Sequence, residues 1–448
     1  MKSKNKIGLF SLTMLVLGFV IGTGIFRTSR DAAAAATTPA IFFIAWIVAG
    51  LVAICGALTF AEIGSRYPVT GGFYKIFSYA YHPSLAFSIN AIILISNAAA
   101  MGGVALIGSE YITPLVFAPD QVEVWKPILA ITAILLFYGI NLLGLKMSTK
   151  TLNVLMVIKI VMLLVIVAAI FYPAVHSTAP VVIDESKTST AALLLSFGVA
   201  LKATSFTYGG YQHTINFGEE VENPNRNIPR GIFFGIIIII SLYLLVSYAY
   251  VKVIGFNALK ETDGIAALVA EKMFGTTGRY ASSILLFLAV LSYVNVTLLS
   301  NPRVMYAMSQ EGILPKVFQQ KDKKRGVLTV SLTVFTAVCV VVLFFSDKFE
   351  KILSFGVFLD SIGMATAGAT IFVFRKKTKH LNGTGIFSMK LYPLLPLFFI
   401  VGYTFVATMI TIEEPRLAIT CMAVLASLFV IYFLIQRLKQ GKIQPGNN

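Results

Sequence analysis

The sequence predicts an all-α membrane protein of twelve transmembrane helices: two five-helix repeats of opposite orientation, followed by two further helices. Three observations carry that prediction. The chain has 448 residues, of which 57% are hydrophobic and only 12% charged, and its mean hydropathy is +0.82. Apolar runs of about 20 residues recur along its whole length, each able to cross about 30 Å of hydrocarbon. Glycine-rich interruptions fall in the middle of the first run and of the sixth.

The runs are taken in order as 8–30, 39–64, 78–109, 127–145, 151–172, 191–216, 230–255, 280–308, 327–346, 352–374, 388–412 and 416–437. The connections are short, so one transmembrane domain is expected over 1–448. Repeat one is 8–172, repeat two 191–374, and the two additional helices lie within 388–437. The first run continues past "VIGTGIFR" without an A-x-A-like cleavage site, so it reads as a span and not as a removable signal peptide. "LKETDGIAALVAEKMFG" has short helical periodicity and is expected to lie over the outer vestibule.

"GTG" at Gly22–Gly24 sits where a helix should be intact. Glycine weakens a helix interior by roughly 0.5–1 kcal/mol relative to alanine, and a freed amide in hydrocarbon costs several kcal/mol more. "TYGG" at Thr207–Gly210 repeats the anomaly in the sixth run. Both clusters are too compact for the four-residue stripe of a helix-packing face, which is the competing explanation. Two discontinuous spans five helices apart fit an inverted repeat. With five helices per repeat, the second copy starts from the other side. Broken ends also offer chemistry: a half-helix N-terminus presents free amides to a carboxylate, and a C-terminus presents carbonyls to an ammonium. An α-amino acid carries both groups.

The formal charge of +16 raises the question of nucleic acid, and its distribution answers it. With loops assigned alternately to two sides, 23 basic residues fall on the side of the N-terminus and 11 on the other. The richer side is expected to be cytoplasmic, with both termini inside. "KDKKR" and "RKKTK" then read as ordinary anchors, and no nucleic-acid partner is expected. Cys55, Cys339 and Cys421 lie in apolar spans without metal or disulfide spacing. His82, His176, His213 and His380 are scattered. No metal, no cofactor and no catalytic residue is expected.

Four motifs together resemble the amino acid–polyamine–organocation superfamily of secondary transporters, and within it the L-amino-acid transporter branch. They are "GTGIF", "EIGSRYPVTGGFY", "FTYGGYQHTINFGEEVENPNRNIPRGI" and "NPRVMYAMSQEGILP", and the resemblance covers roughly 7–437. It implies the five-plus-five inverted repeat and alternating access around a midplane amino-acid site. Position by position, it implies that amides around Thr23, Gly24 and Ile25 hold the carboxylate. Carbonyls of Ile21, Gly22, Phe206 and Tyr208 hold the amine. Gly209 and Gly210 open the second break, Thr207 belongs with them to the substrate site, and Tyr211 covers the substrate from outside.

Ionisable groups inside spans are costly and mark function by default. Lys159 lies eight residues into its helix, about 12 Å deep at 1.5 Å per residue. In the resembled branch a lysine there replaces the sodium ion of sodium-driven relatives. Lys159 is therefore expected to bind the carbonyls near Gly22, with Ser292 and Asn295 as candidate partners. Arg27, Lys202 and Asp360 share a depth outside the midplane. They are expected to form an outer gate in which Asp360 pairs with Arg27 or Lys202; a static ion pair and recognition of a cationic substrate are the alternatives. Glu219, Glu220 and Glu222 read as a solvated face, with salt bridges to nearby basic residues during gating as the alternative.

The expected function is a sodium-independent carrier of amino acids, neutral L-amino acids foremost, working by exchange or with protons. It would lie in the plasma membrane, or the inner membrane of a bacterium. Its partners are the substrate and the lipid bilayer, with no obligatory protein partner. The alternatives are a polyamine or cationic amino-acid carrier and a membrane solute sensor without transport. An intramembrane enzyme would need a nucleophile–base pair or metal cluster in the core, which one core Asp does not supply.

Overall fold

The computed structural model describes residues 6–22, 24–172, 189–262, 264–344, 349–381 and 385–441. The helices run α1 (Leu9–Val20), α2 (Gly24–Ala35), α3 (Pro39–Arg66), α4 (Gly72–Ala80), α5 (Pro83–Val116), α6 (Val122–Leu142), α7 (Leu145–Ala168), α8 (Thr190–Thr207), α9 (Pro224–Ile254), α10 (Phe256–Leu259), α11 (Ile265–Gln310), α12 (Thr329–Leu343), α13 (Phe349–Lys377), α14 (Leu394–Glu413) and α15 (Pro415–Gly441). Pairing of extended backbone among the described residues is confined to isolated bridges, Ile7 with Val221 and Thr70 with Phe217.

Helix starts follow local chemistry. Thr38 caps α3 by accepting from the Ile41 amide, and Pro39 fills the first turn. Ser189 caps α8 by accepting from the Ala192 amide. In "ENPNRNIPRG", Asn223 takes the left-handed conformation (φ 44°) immediately before Pro224 opens α9, as expected of an Asn/Pro turn.

Ten described helices are long and apolar enough to cross a membrane, or eleven when α1 and α2 count as one bent span. The sequence predicts twelve. The difference lies at α12, which has only 15 residues; its expected span, 327–346, runs into residues outside those described. The stretch expected to cover the vestibule, 259–275, begins at the last residue of α10 and runs into the first part of α11 up to the kink at Gly275 (φ 67°), with Asp263 outside the described residues.

α3 packs along α8 and α9, α1 along α7 and α9, and α11 along α5, α6 and α7. Their facing side chains form the main core, including Leu15, Phe60, Tyr208, Ile236 and Val296. The outer helices turn apolar groups outward: Leu135, Val161, Val401 and Ile419 are exposed. Such a surface suits hydrocarbon and would be an aggregation liability in water.

Helical bonding in α1 ends at Ile21 N to Leu17 O (2.8 Å), followed by a tighter turn from Gly22 N to Val20 O (2.9 Å). α2 restarts at Gly24, bent 42° from α1. α8 ends at Thr207, with short turns from Tyr208 N to Ser205 O (3.2 Å) and from Gly209 N to Phe206 O (3.1 Å). A 3₁₀ segment, Tyr211–Asn216, follows. The two interruptions touch. A Cβ on Gly24 would lie 2.8 Å from Thr207 Cγ2, and one on Gly210 would lie 2.6 Å from the Phe19 carbonyl oxygen. Gly210 also has φ +119°, where a side chain is strained.

Candidate substrate site

A cavity of about 550 Å³ opens against both interruptions, within the usual range for small-molecule sites. Val20, Gly22 and Gly24 contribute from the first interruption, and Phe206, Thr207, Gly209 and Gly210 from the second. Phe19, Gln212 and His213 close its inner end, with the His213 ring 5.6 Å from Phe19 and 5.5 Å from Phe73. An apolar wall comes from Ile92, Ile93, Val104 and Ile107 of α5, Val199 of α8 and Ile410 of α14. The charged lining groups are Arg27, Asp31, Lys202, Asp360 and Glu414.

Helix ends supply the polar surface. The first amides of α2 have no carbonyl one turn earlier to bond to, and Gly24, which opens that helix, lines the cavity. The last carbonyls of α1 are engaged on the side away from it. The Val20 carbonyl accepts from Tyr243 Oη (3.1 Å), and the Ile21 carbonyl accepts from the Lys159 ammonium. Lys159 is fully buried. Its charge therefore sits at the carbonyl end of α1, where the helix dipole favours a cation.

The structure separates the expected site residues. Gly22, Gly24, Phe206, Thr207, Gly209 and Gly210 meet at the cavity; Thr23 lies outside the described residues. Ile21 and Ile25 are fully buried and are not among the lining residues. The Tyr208 ring is buried between Trp46 and Tyr243. Lys159 reaches the Ile21 carbonyl, one residue from Gly22. Its expected α11 partners are engaged elsewhere. Ser292 Oγ donates to the Ala289 carbonyl (2.7 Å). Asn295 donates to the Ser148 carbonyl (2.9 Å) and accepts from Asn141 (2.9 Å).

Two residues lie away from their expected positions. Tyr211 does not cover the cavity: its ring is fully buried, edge-on to Phe60 at 6.1 Å. Chain direction explains this, because Tyr211 follows the second break while the cavity mouth lies beside the residues that precede it. The aromatic on the mouth side is Phe206, 42% exposed and lining the cavity. Lys202 does not pair with Asp360; its ammonium is bonded to Glu413 of α14. Among the described residues Asp360 has neither a hydrogen bond nor an ion pair.

The opposite end is closed by a polar network that includes two of the acids read from sequence as a solvated face or as salt-bridge partners. Arg303 Nε donates to Glu220 (2.6 Å), and Thr70 donates to Glu219 (2.8 Å). The Ile7 amide donates to the Glu220 carbonyl (2.7 Å), tying the start of the chain to the loop after the second break. Glu222 alone of the three acids has an exposed position without such a side-chain bond among those described. Deeper still, Glu62 is fully buried and accepts from Arg66 (2.8 Å), from Arg375 (2.7 and 2.8 Å) and from the Met389 amide (2.8 Å). Arg375 opens the "RKKTK" run, so that run is more than a membrane anchor.

The chain matches the family model described as amino acid permease over residues 7–436. It is 25% identical to the serine/threonine exchanger of Bacillus subtilis, covering 97% of this chain and 98% of that protein. It is 24% identical to the human large neutral amino acids transporter small subunit 2, covering 96% and 80%. It is 30% identical to the methylthioribose transporter of Bacillus subtilis, covering 69% and 68%. The protein therefore belongs to the amino acid permease family of the amino acid–polyamine–organocation superfamily.

Proposed function

We propose that this chain is a sodium-independent secondary transporter that carries amino acids, neutral L-amino acids foremost, by alternating access across the plasma membrane. The observation that carries the reading is the meeting of two interrupted helices on one cavity. The zwitterion is common to every α-amino acid, and peptide groups alone can hold it: amides opening α2 face its carboxylate, and the turn around Phe206–Gly210 faces its amine. The uncharged second break suits neutral side chains. The names of the serine/threonine exchanger and of the large neutral amino acids transporter agree with this.

Two five-helix repeats, with α1–α2 and α8 plus its 3₁₀ continuation as their discontinuous first members, give a fold in which the breaks meet at the midplane. The excess of lysine and arginine on the N-terminal side places both termini in the cytoplasm. The cavity mouth, beside Arg27, Lys202 and Glu414, then faces outward, and the Glu62 and Glu220 networks close the cytoplasmic end. Lys159 supplies a fixed cation where a sodium-driven carrier would need an ion, so sodium is dispensable. With that charge retained, the empty carrier returns poorly and exchange is favoured; with a proton released from Lys159 in each cycle, the coupling is symport.

Counterflow in proteoliposomes tests the reading. Labelled neutral amino acids are expected to accumulate in sodium-free buffer when unlabelled substrate is loaded inside. Stimulation by an imposed pH gradient assigns symport, and indifference to it assigns exchange. Binding without translocation would make the protein a sensor, and a strict requirement for sodium would remove the role given to Lys159.

A further inference from the structure

Asp360 stands apart from every other charge on the cavity. Asp31 and Glu414 are exposed at the mouth, whereas Asp360 is half-buried in the wall. Lys202 has Glu413. Arg27 and Asp31 have partners of their own. Asp360 has no hydrogen bond or ion pair among the described residues; the other titratable groups on the lining are Tyr293 of α11 and His213, which packs between Phe19 and Phe73 at the inner end. A half-buried carboxylate without a partner is costly. It persists where something that visits the cavity completes it.

What visits can be read from the wall around it. Ile92 and Ile93 of α5, Ile410 of α14 and Val199 of α8 line the same cavity. Gly356, one helical turn before Asp360, also lines it and adds no side chain there. An apolar surface leading to one carboxylate is complementary to a methylene stem ending in an ammonium. The zwitterion seat at the two breaks opens into the same space. A substrate held there by its α-carboxylate and α-amine projects its side chain into a cavity that has this half-buried anion in its wall.

We propose that Asp360 is a specificity-determining residue that pairs with a side-chain ammonium, so that dibasic amino acids of the lysine and ornithine class are substrates alongside neutral ones. This rests on the transporter reading above and extends it from the substrate's backbone to its side chain. The carboxylate need not gate the cavity to act in this way.

The test compares lysine and ornithine with norleucine, which keeps the stem and lacks the ammonium. Each is titrated against the purified full-length protein by thermal shift, and against labelled uptake in proteoliposomes. Lysine is expected to bind at least about 10-fold more tightly than norleucine, a difference of about 1.4 kcal/mol. In Asp360→Asn that ratio is expected to fall to about one or below. Equal binding of lysine and norleucine by the wild-type protein overturns the proposal without any variant. So does an Asp360→Asn protein that folds and keeps the wild-type ratio. If Asp360→Asn fails to fold, Asp360→Glu serves instead, with the ammonium preference retained but its strongest ligand changed between ornithine and lysine; an unaltered order there counts against direct contact. Should neutral amino acids bind and lysine not, this proposal alone fails. Should no amino acid bind, the transporter reading fails with it.

Discussion

Glu62 and Asp360 are both acids inside the helical bundle, at opposite ends of it, and they are treated in opposite ways. Glu62 is fully buried and receives two guanidinium groups and a backbone amide. It joins α3, α13 and the segment before α14 into one block. Asp360, on α13 with Arg375, is half-buried and receives nothing among the described residues. The closed end satisfies its charges within the chain; the cavity leaves Asp360 open. Charge satisfied internally holds a conformation, and charge left open to a cavity selects a ligand. Removing each acid therefore does different things.

The largest effect is expected at the closed end. Glu62→Ala removes the carboxylate that lies between Arg66, itself buried, and Arg375. Breaking a buried ion pair from one side costs about 3–5 kcal/mol, and here one carboxylate serves two pairs. The variant should be recovered poorly and should melt well below the wild type in detergent. A monodisperse Glu62→Ala protein with a wild-type melting curve would erase the contrast at its stronger end.

Lys159 is the intermediate case. It is as buried as Glu62, yet its acceptor is a neutral carbonyl, that of Ile21. Lys159→Ala removes a costly buried cation as well as its bond, so the two effects on stability partly cancel. The bond itself is worth about 1.5–3 kcal/mol, and its loss falls on the first break. The protein should fold with a near-normal melting curve, while counterflow drops by about 10-fold or more. Normal counterflow in that variant would show the ammonium to be structural, placing Lys159 with Glu62 and not with the cavity.

Part of this arrangement is legible in the order of amino acids alone. "GTG" and "TYGG" break a rule strict enough in hydrocarbon that their positions can be interpreted directly; α1 ends at Val20 and α8 at Thr207. Depth alone marks Lys159. The gate is less legible, because depth along a span does not give azimuth around it. Lys202 and Asp360 share a level, but Lys202 turns toward Glu413 at the end of α14. Tyr211 and Phe206 flank the same break, and only the direction of the chain through it tells which faces the mouth. Glu62 is inconspicuous because it sits near the end of its span, where an acid is ordinarily solvated; its partner Arg375 is 313 residues away in sequence. His213 and the Asn97–Asn301 pair (2.8 Å) on the cavity lining carry no local signal at all.

The smallest change in stability is expected at Asp360. Asn keeps the shape and hydrogen-bonding capacity of the side chain and removes the charge, which has no counter-charge to lose. The shift should be less than about 1 kcal/mol and in the stabilising direction, seen as an unchanged or slightly raised melting temperature without substrate. Adding lysine should then separate the proteins, because only the wild type gains from binding its ammonium, by an amount that grows with ligand concentration over Kd. A ligand-free Asp360→Asn protein that loses as much stability as Glu62→Ala would mean that Asp360 is already satisfied in the resting conformation. The two carboxylates would then belong to one class, and the distinction between a conformational lock and a ligand contact would have to be drawn elsewhere in the cavity.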